Sequence, residues 1–252
     1  MKKLLLSIPL LACALALGLT SCNENTNVDD FEVDQKYEYF PLEIGKYFVY
    51  AVDSVVYDTL ASGVVATPSS SFVREEITDT LRDNSGRLAY RIERSYRRNS
   101  DDPWQISDIW VSLRTDRQAE RVEENLRYVK LVFPLIEGVG WNGNLFIDET
   151  TLITIAGESV ELFKDWSYFA DQVDVAETIG DIAFDNVATI VQADSENLIE
   201  LRYSVEKYAK GIGLVYKEMR ILDTQNITSD ATPWEQKAQK GFTMIQRLIE
   251  HN

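Results

Sequence analysis

The sequence predicts an all-β, antiparallel domain built as one strongly curved sheet or open barrel, and three observations carry that expectation. Apolar and polar residues alternate with a period of two in several windows, the repeat of a half-buried strand. These windows are bounded by Gly, Pro, Asn and Asp rather than by helix caps. Third, 45% of the 252 residues are hydrophobic and 11% aromatic, which is enough apolar surface to bury a core without disulfides.

The chain opens on a segment set apart from this pattern. Met1-Lys2-Lys3 is basic, residues 4–18 are apolar, and Leu19-Thr20-Ser21-Cys22 follows directly. A transmembrane helix needs about 20 apolar residues, so the shorter run reads as a signal peptide over 1–21. Leu-Thr-Ser before Cys22 resembles the bacterial lipobox, which implies lipidation of Cys22 and membrane attachment through acyl chains. Cys13 would leave with the signal peptide and Cys22 would carry lipid. The remainder then has no thiol for a disulfide, a nucleophile or a zinc ligand. Residues 22–36 are polar and acidic without hydrophobic period, the composition of a flexible tether, and a single β domain is expected over 37–252.

Within that domain, Tyr47 to Leu60 has no Gly or Pro and reads as a strand. A Thr-Pro-Ser-Ser loop is expected at 67–70, before a strand over 72–83, with Asn84-Ser85-Gly86 as a hairpin turn. Leu88, Tyr90, Ile92 and Tyr96 alternate with polar neighbours. Residues 104–114 and 122–133 form the next expected pair, joined by a turn over 115–120. Later, strands over 187–193 and 198–208 flank Asp194-Ser195-Glu196-Asn197, and Gly211-Ile212-Gly213 is a turn, since a phosphate cradle would need a third glycine and a following helix. Thr232-Pro233-Trp234-Glu235 has the order of a capping box and predicts a short helix of about two turns near residue 233, with Gly241 closing it. Phe242 to Glu250 fits a last strand or a continued helix. Phe40-Pro41-Leu42 echoes Phe133-Pro134-Leu135, which raises the idea of two similar halves.

Charge excludes some functions. The net charge is −16, and residues 1–21 hold two lysines and no acid, so the rest carries −18. A nucleic-acid partner is not expected, because phosphate neutralisation needs a basic stripe. Residues 74–130 carry twelve bases and twelve acids and read as cross-strand ion pairs on solvated faces, whereas 131–206 carry fifteen acids against two bases and read as an acidic surface. The one His, His251, is penultimate, so a Ser-His-Asp arrangement is not expected. Asp171, Asp174, Glu177, Asp181 and Asp185 could supply oxygens to Ca2+, but lack the EF-hand order, and a solvated acidic loop is the expectation. No metal or cofactor is expected.

Ligand contact is expected from tryptophan. The strands at 47–57 and 104–113 are apolar on both alternating faces, so each is covered twice, by packing in a two-sheet β-sandwich (the alternative fold) or by a ligand inside a curved sheet. Trp104 and Trp110 share a face at even spacing and are the expected ligand-contacting residues. Trp141, beside Asn142 and Asn144, is a further candidate that could stack on a sugar ring, although core packing at a turn fits it better.

The stretch Tyr39-Phe40-Pro41-Leu42-Glu43-Ile44-Gly45-Lys46-Tyr47-Phe48-Val49-Tyr50 resembles the opening of uncharacterised Bacteroidota envelope lipoproteins, and residues 208–218 resemble a segment near their end. The resemblance implies an exported, lipid-anchored, strand-rich domain and brings no activity. Together these readings predict an architecture akin to lipoprotein carriers or lipocalin-like barrels. They predict a non-enzymatic binding or assembly lipoprotein anchored at the outer membrane, its side undetermined, for an apolar or amphipathic ligand. The unidentified partner could be a small molecule, a glycan or a protein. The competing function is a carbohydrate-binding accessory protein or glycoside hydrolase.

Overall fold

The structure, a computed structural model, describes residues 33–227 and 232–252. The signal peptide, Cys22 and the tether up to residue 32 lie outside the described residues. The folded unit spans Asp34–Asn252. Its entry is already tied down at 34–36, where the Leu135 N–H donates to the Gln35 carbonyl at 3.3 Å and Lys36 pairs with Asp174.

Twelve strands make one antiparallel sheet. In chain order these are β1 (Tyr47–Leu60), β2 (Gly63–Arg82), β3 (Leu88–Arg97), β4 (Gln105–Arg114), β5 (Gln118–Glu123), β6 (Leu126–Val132), β7 (Gly140–Trp141), β10 (Trp166–Ile179), β11 (Ile182–Glu196), β12 (Glu200–Ala209), β13 (Gly213–Asp223) and β14 (Lys240–His251). A separate hairpin, β8 (Leu152–Ile155) with β9 (Glu158–Glu161), sits in the connection between β7 and β10. The spatial order is β6-β5-β4-β3-β2-β1-β14-β13-β12-β11-β10-β7, two six-strand meanders joined where β1 pairs with β14. Each meander follows one copy of Phe-Pro-Leu, and Phe40, Phe133 and Leu135 share one buried cluster.

The free ends of this sheet curl back on one another, so the sheet is nearly closed into a barrel. The Val129 N–H of β6 donates to the Gly143 carbonyl at 2.8 Å, and the Trp141 indole N–H to the Val129 carbonyl at 2.9 Å. Gly143 is required there: a Cβ would stand 2.3 Å from the Tyr168 ring. The open-barrel expectation therefore holds, and the two-sheet sandwich does not describe the molecule.

Two buried apolar clusters pack towards opposite ends of β12 and β13. Tyr39, Phe40 and Leu135 pack against Tyr168, Ala188, Ile190 and Tyr208 at one end. At the other end Val160, Leu162 and Phe163 pack on Met219 and Ile221, with Phe242 and Met244 beside them. Arg202 secures this second cluster by donating from Nε to the Glu161 carbonyl at 3.0 Å and from its guanidinium to Asp223 at 2.6 Å.

Several sequence expectations are corrected. Thr67-Pro68-Ser69-Ser70 is no loop but lies within β2. There Pro68 pairs with Val55 of β1, and β3 begins pairing only at Phe72, so Pro68 lies where β2 is an edge with a partner on one side alone, a position that tolerates proline. The expected strand over 122–133 is two strands, because Glu124 and Asn125 both take positive φ, 48° and 64°, and make a two-residue hairpin turn without glycine. The turn after β4 is correspondingly short, since β5 starts at Gln118. The helix near 233 is a single turn, Trp234–Lys237; no side chain caps it, and Glu235 pairs with Arg220 at 2.6 Å instead. Gly241 closes no helix. It is the second residue of β14, at φ 108°, where a Cβ would lie 2.0 Å from the Ile221 carbonyl oxygen, and residues 242–250 are strand. Asp171 to Asp185 form no loop but lie along β10 and β11 and their tight turn, and among the described residues no group of three His, Cys, Asp or Glu side chains could hold a metal ion. No helix among the described residues is long and apolar enough to cross a membrane.

Candidate functional site

The interior is where the charged residues of alternating strands converge. Arg202, Ser204 and Glu206 of β12 are buried, as are Lys130 of β6 and Glu75 of β2. The reading of residues 74–130 as solvated ion pairs and of 131–206 as an acidic surface is thus corrected in part. In a closed sheet the polar half of an alternating strand can point inward, provided its charges find partners.

Arg202 does so with Asp223, and the others in two groups. Lys130 Nζ lies 2.9 Å from Glu123 and 2.9 Å from Glu206, while Lys217 Nζ lies 3.3 Å from Glu206 and 3.8 Å from Glu123, a four-membered ring of alternating charge with no net charge. The Tyr208 hydroxyl donates to Glu206 at 2.6 Å. Burial works to raise Glu123 and Glu206, but the ammonium groups of Lys130 and Lys217 outweigh it and hold both carboxyls below the usual range. Burial would likewise lower Lys130, and the two glutamates outweigh it and raise it. In the second group Glu75 lies 3.1 Å from Arg121 and 3.8 Å from Arg94.

Beside the four-membered ring is a cavity of about 270 Å³. Trp110, Tyr128, Phe163, Trp166, Tyr168 and Met219 supply most of its apolar wall, and Glu123, Lys130, Lys217 and Gln192 its polar side. Lys130 Nζ stands 4.7 Å from the centre of the Tyr128 ring. Phe163, Trp166 and Tyr168 form a tilted aromatic ladder with centroids 5.8 and 5.9 Å apart, and Trp166 is fixed by donating its indole N–H to the Leu162 carbonyl at 2.7 Å. Burial pushes the Tyr128 and Tyr168 phenols up, so both stay neutral. Glu124, also at the cavity, is exposed on the β5–β6 turn, which marks the open side beside Ile153 of the hairpin.

The three predicted tryptophans have different fates. Trp110 of β4 lines the cavity. Trp104 does not, because a register shift in β4 pairs Asp108 with Arg94 but Ile106 with Ser95 and so reverses the alternation between the two tryptophans. Trp104 instead stacks under Arg97, whose guanidinium is 4.3 Å from its ring and also lies over Phe72. Trp141 packs 6.0 Å from Tyr168, and its indole N–H is committed to the barrel seam. Sequence reasoning missed Tyr128, Lys130, Trp166, Tyr168 and Lys217; the one legible signal was a lysine inside the apolar run Tyr128-Val129-Lys130-Leu131-Val132.

Chemically, the site can bury an apolar body against aromatic rings. Glycoside hydrolysis requires one carboxyl that stays protonated near neutrality. Glu123, which lines the cavity, and Glu206 behind it are held in the opposite state by their lysines.

No protein-family model matches the sequence, and no curated protein matches it. Two solved structures are similar at low level. One, from Bacteroides fragilis, is provisionally named an exported protein with a YmcC-like fold, and is 12% identical over 84% of this chain and 98% of its own, with a TM-score of 0.40. The other, from Parabacteroides distasonis, is provisionally named a lipoprotein, and is 10% identical over 85% of this chain and 98% of its own, with a TM-score of 0.34. At this distance neither name is transferred to the chain.

Proposed function

We propose that this chain is a lipid-anchored lipoprotein of the outer membrane whose barrel binds a small, largely apolar ligand without transforming it. The observation that supports binding is the cavity itself. The barrel could have filled this space with side chains, yet about 270 Å³ remains between an aromatic ladder and a self-neutralised charge ring. A dry cavity of about 150 Å³ takes a benzene ring, so this one has room for a body of roughly ten heavy atoms. Lipidation at Cys22 is supported by the lipobox-like sequence, and a non-enzymatic role by the ion pairing of Glu123 and Glu206 and by the place of His251 at the exposed end of β14.

The test is calorimetric titration with tetralin, a bicyclic hydrocarbon of about the right size, against the wild type and Met219→Trp, which places a larger side chain in the cavity. Binding to the wild type with loss of at least tenfold in the folded variant is expected. No heat with the wild type, or equal affinity in both, would overturn the proposal.

A further inference from the structure

Trp110 and Gln192 both line the cavity, and both are more than nine-tenths buried. The Trp110 indole N–H and the Gln192 amide nitrogen have no hydrogen-bond partner among the described residues. A buried donor left unmet is costly, so two such groups lining one cavity need a cause. The Gln192 carbonyl oxygen is engaged, accepting from the Ser204 hydroxyl at 2.8 Å, which leaves the NH2 as its open end. The Trp110 ring is engaged too: the Arg94 guanidinium lies 4.6 Å from its centroid and that of Arg121 lies 5.9 Å away. What Trp110 retains for a ligand is its N–H.

Charge narrows the chemistry further. Lys130 and Lys217 are each shared between Glu123 and Glu206, so neither ammonium is free for an anionic ligand. Glu124 at the open side and the chain's net charge of −16 add repulsion for anions. A cation would have to draw a glutamate away from its lysines, at the cost of breaking a buried pair.

Resting on the binding proposal above, we infer that the ligand is uncharged and carries at least one hydrogen-bond-accepting oxygen on its apolar body, a ketone, ester or ether, which the Trp110 N–H and the Gln192 amide receive. The apolar body lies on Tyr128, Phe163 and Trp166. The two donors and the rings together orient such a molecule.

Three probes of matched shape test this by titration of the full protein: tetralin, 1-tetralone, which adds one carbonyl, and 1-naphthoate, which adds a charge. In the wild type, 1-tetralone should bind about tenfold more tightly than tetralin, the worth of one good neutral hydrogen bond, and 1-naphthoate more weakly than either. Trp110→Phe, which keeps an aromatic ring and removes the donor, combined with Gln192→Met should bring the ratio of 1-tetralone to tetralin affinity from about ten down to about one, with near-ultraviolet circular dichroism and a cooperative thermal transition reporting that the variant is folded. Gln192→Met alone is read the same way, with a partial loss, if the double variant does not fold. Equal wild-type affinity for ketone and hydrocarbon would overturn the inference and leave the binding proposal standing, since water then meets the donors. A ketone preference that survives the double variant, or 1-naphthoate binding as tightly as the ketone, would also overturn it. Failure of tetralin itself to bind would instead sink the underlying proposal.

Discussion

Replacing Lys130 by Met removes the centre of the interior charge ring and is the most informative single change. Lys130 is 3% exposed and lies 2.9 Å from each of two carboxylates, so its loss leaves Glu123 and Glu206 facing one ammonium, Lys217, at 3.8 and 3.3 Å. Breaking a buried pair in this way costs about 3–5 kcal/mol, chiefly because an uncompensated charge stays buried. Adding Glu206→Gln restores neutrality and keeps an oxygen for the Tyr208 hydroxyl, so the double variant should regain roughly 1–3 kcal/mol over Lys130→Met. The assay is equilibrium urea unfolding followed by tryptophan fluorescence. The pH dependence has a definite sign. Glu123 and Glu206 are depressed in the folded state, so the stability they confer is complete above the ordinary glutamate value near 4.3 and is lost as pH falls through their lower folded values. In Lys130→Met a glutamate with one ammonium fewer takes up its proton at a higher pH than in the wild type, which removes the excess charge, so the deficit against the wild type should narrow as pH falls towards the wild type's lower folded values. A deficit under about 1 kcal/mol at pH 7, or purely additive losses in the double variant, would refute the charge ring as a stabilising unit.

Gly143→Ala forces a methyl into the Tyr168 ring at the barrel seam; a loss of about 1–3 kcal/mol in thermal unfolding is expected, and an unchanged Tm would contradict the close approach. Thr232→Ala should change stability by less than about 0.5 kcal/mol because no side chain caps the turn after it; a loss of about 1 kcal/mol or more would restore the capping box. Trp104→Ala should leave tetralin affinity unchanged, because Trp104 packs under Arg97 away from the cavity; a large loss would place the ligand elsewhere. Cys22→Ala should release the protein from the detergent-soluble membrane fraction, and unchanged retention would contradict lipidation.

How far the sequence could be read depended on what each residue had to satisfy locally. β1 was legible to the residue, Tyr47–Leu60, because nothing in the run interrupts β propensity. The Glu124-Asn125 turn was not, because neither residue announces positive φ as glycine does. Pro68 misled because its compatibility with β2 depends on a missing neighbour, which is a fact of topology. Two-faced burial of the strands pointed to an enclosed interior, and Trp110 was placed there. Its partner Trp104 was lost to a one-residue register shift that no composition records. The inward charges were hidden for a deeper reason. Glu206 and Lys130 look like solvated strand positions until the barrel closes, and they become tolerable inside only because residues 76 apart in the chain meet.

The central claim is that the barrel interior accepts an apolar molecule, and a crystal soaked in iodobenzene tests it most directly. The iodine's anomalous signal should lie within the cavity bounded by Trp110, Tyr128, Phe163 and Trp166. Iodine found only on the outer surface, with an interior closed over by side chains, would contradict the account.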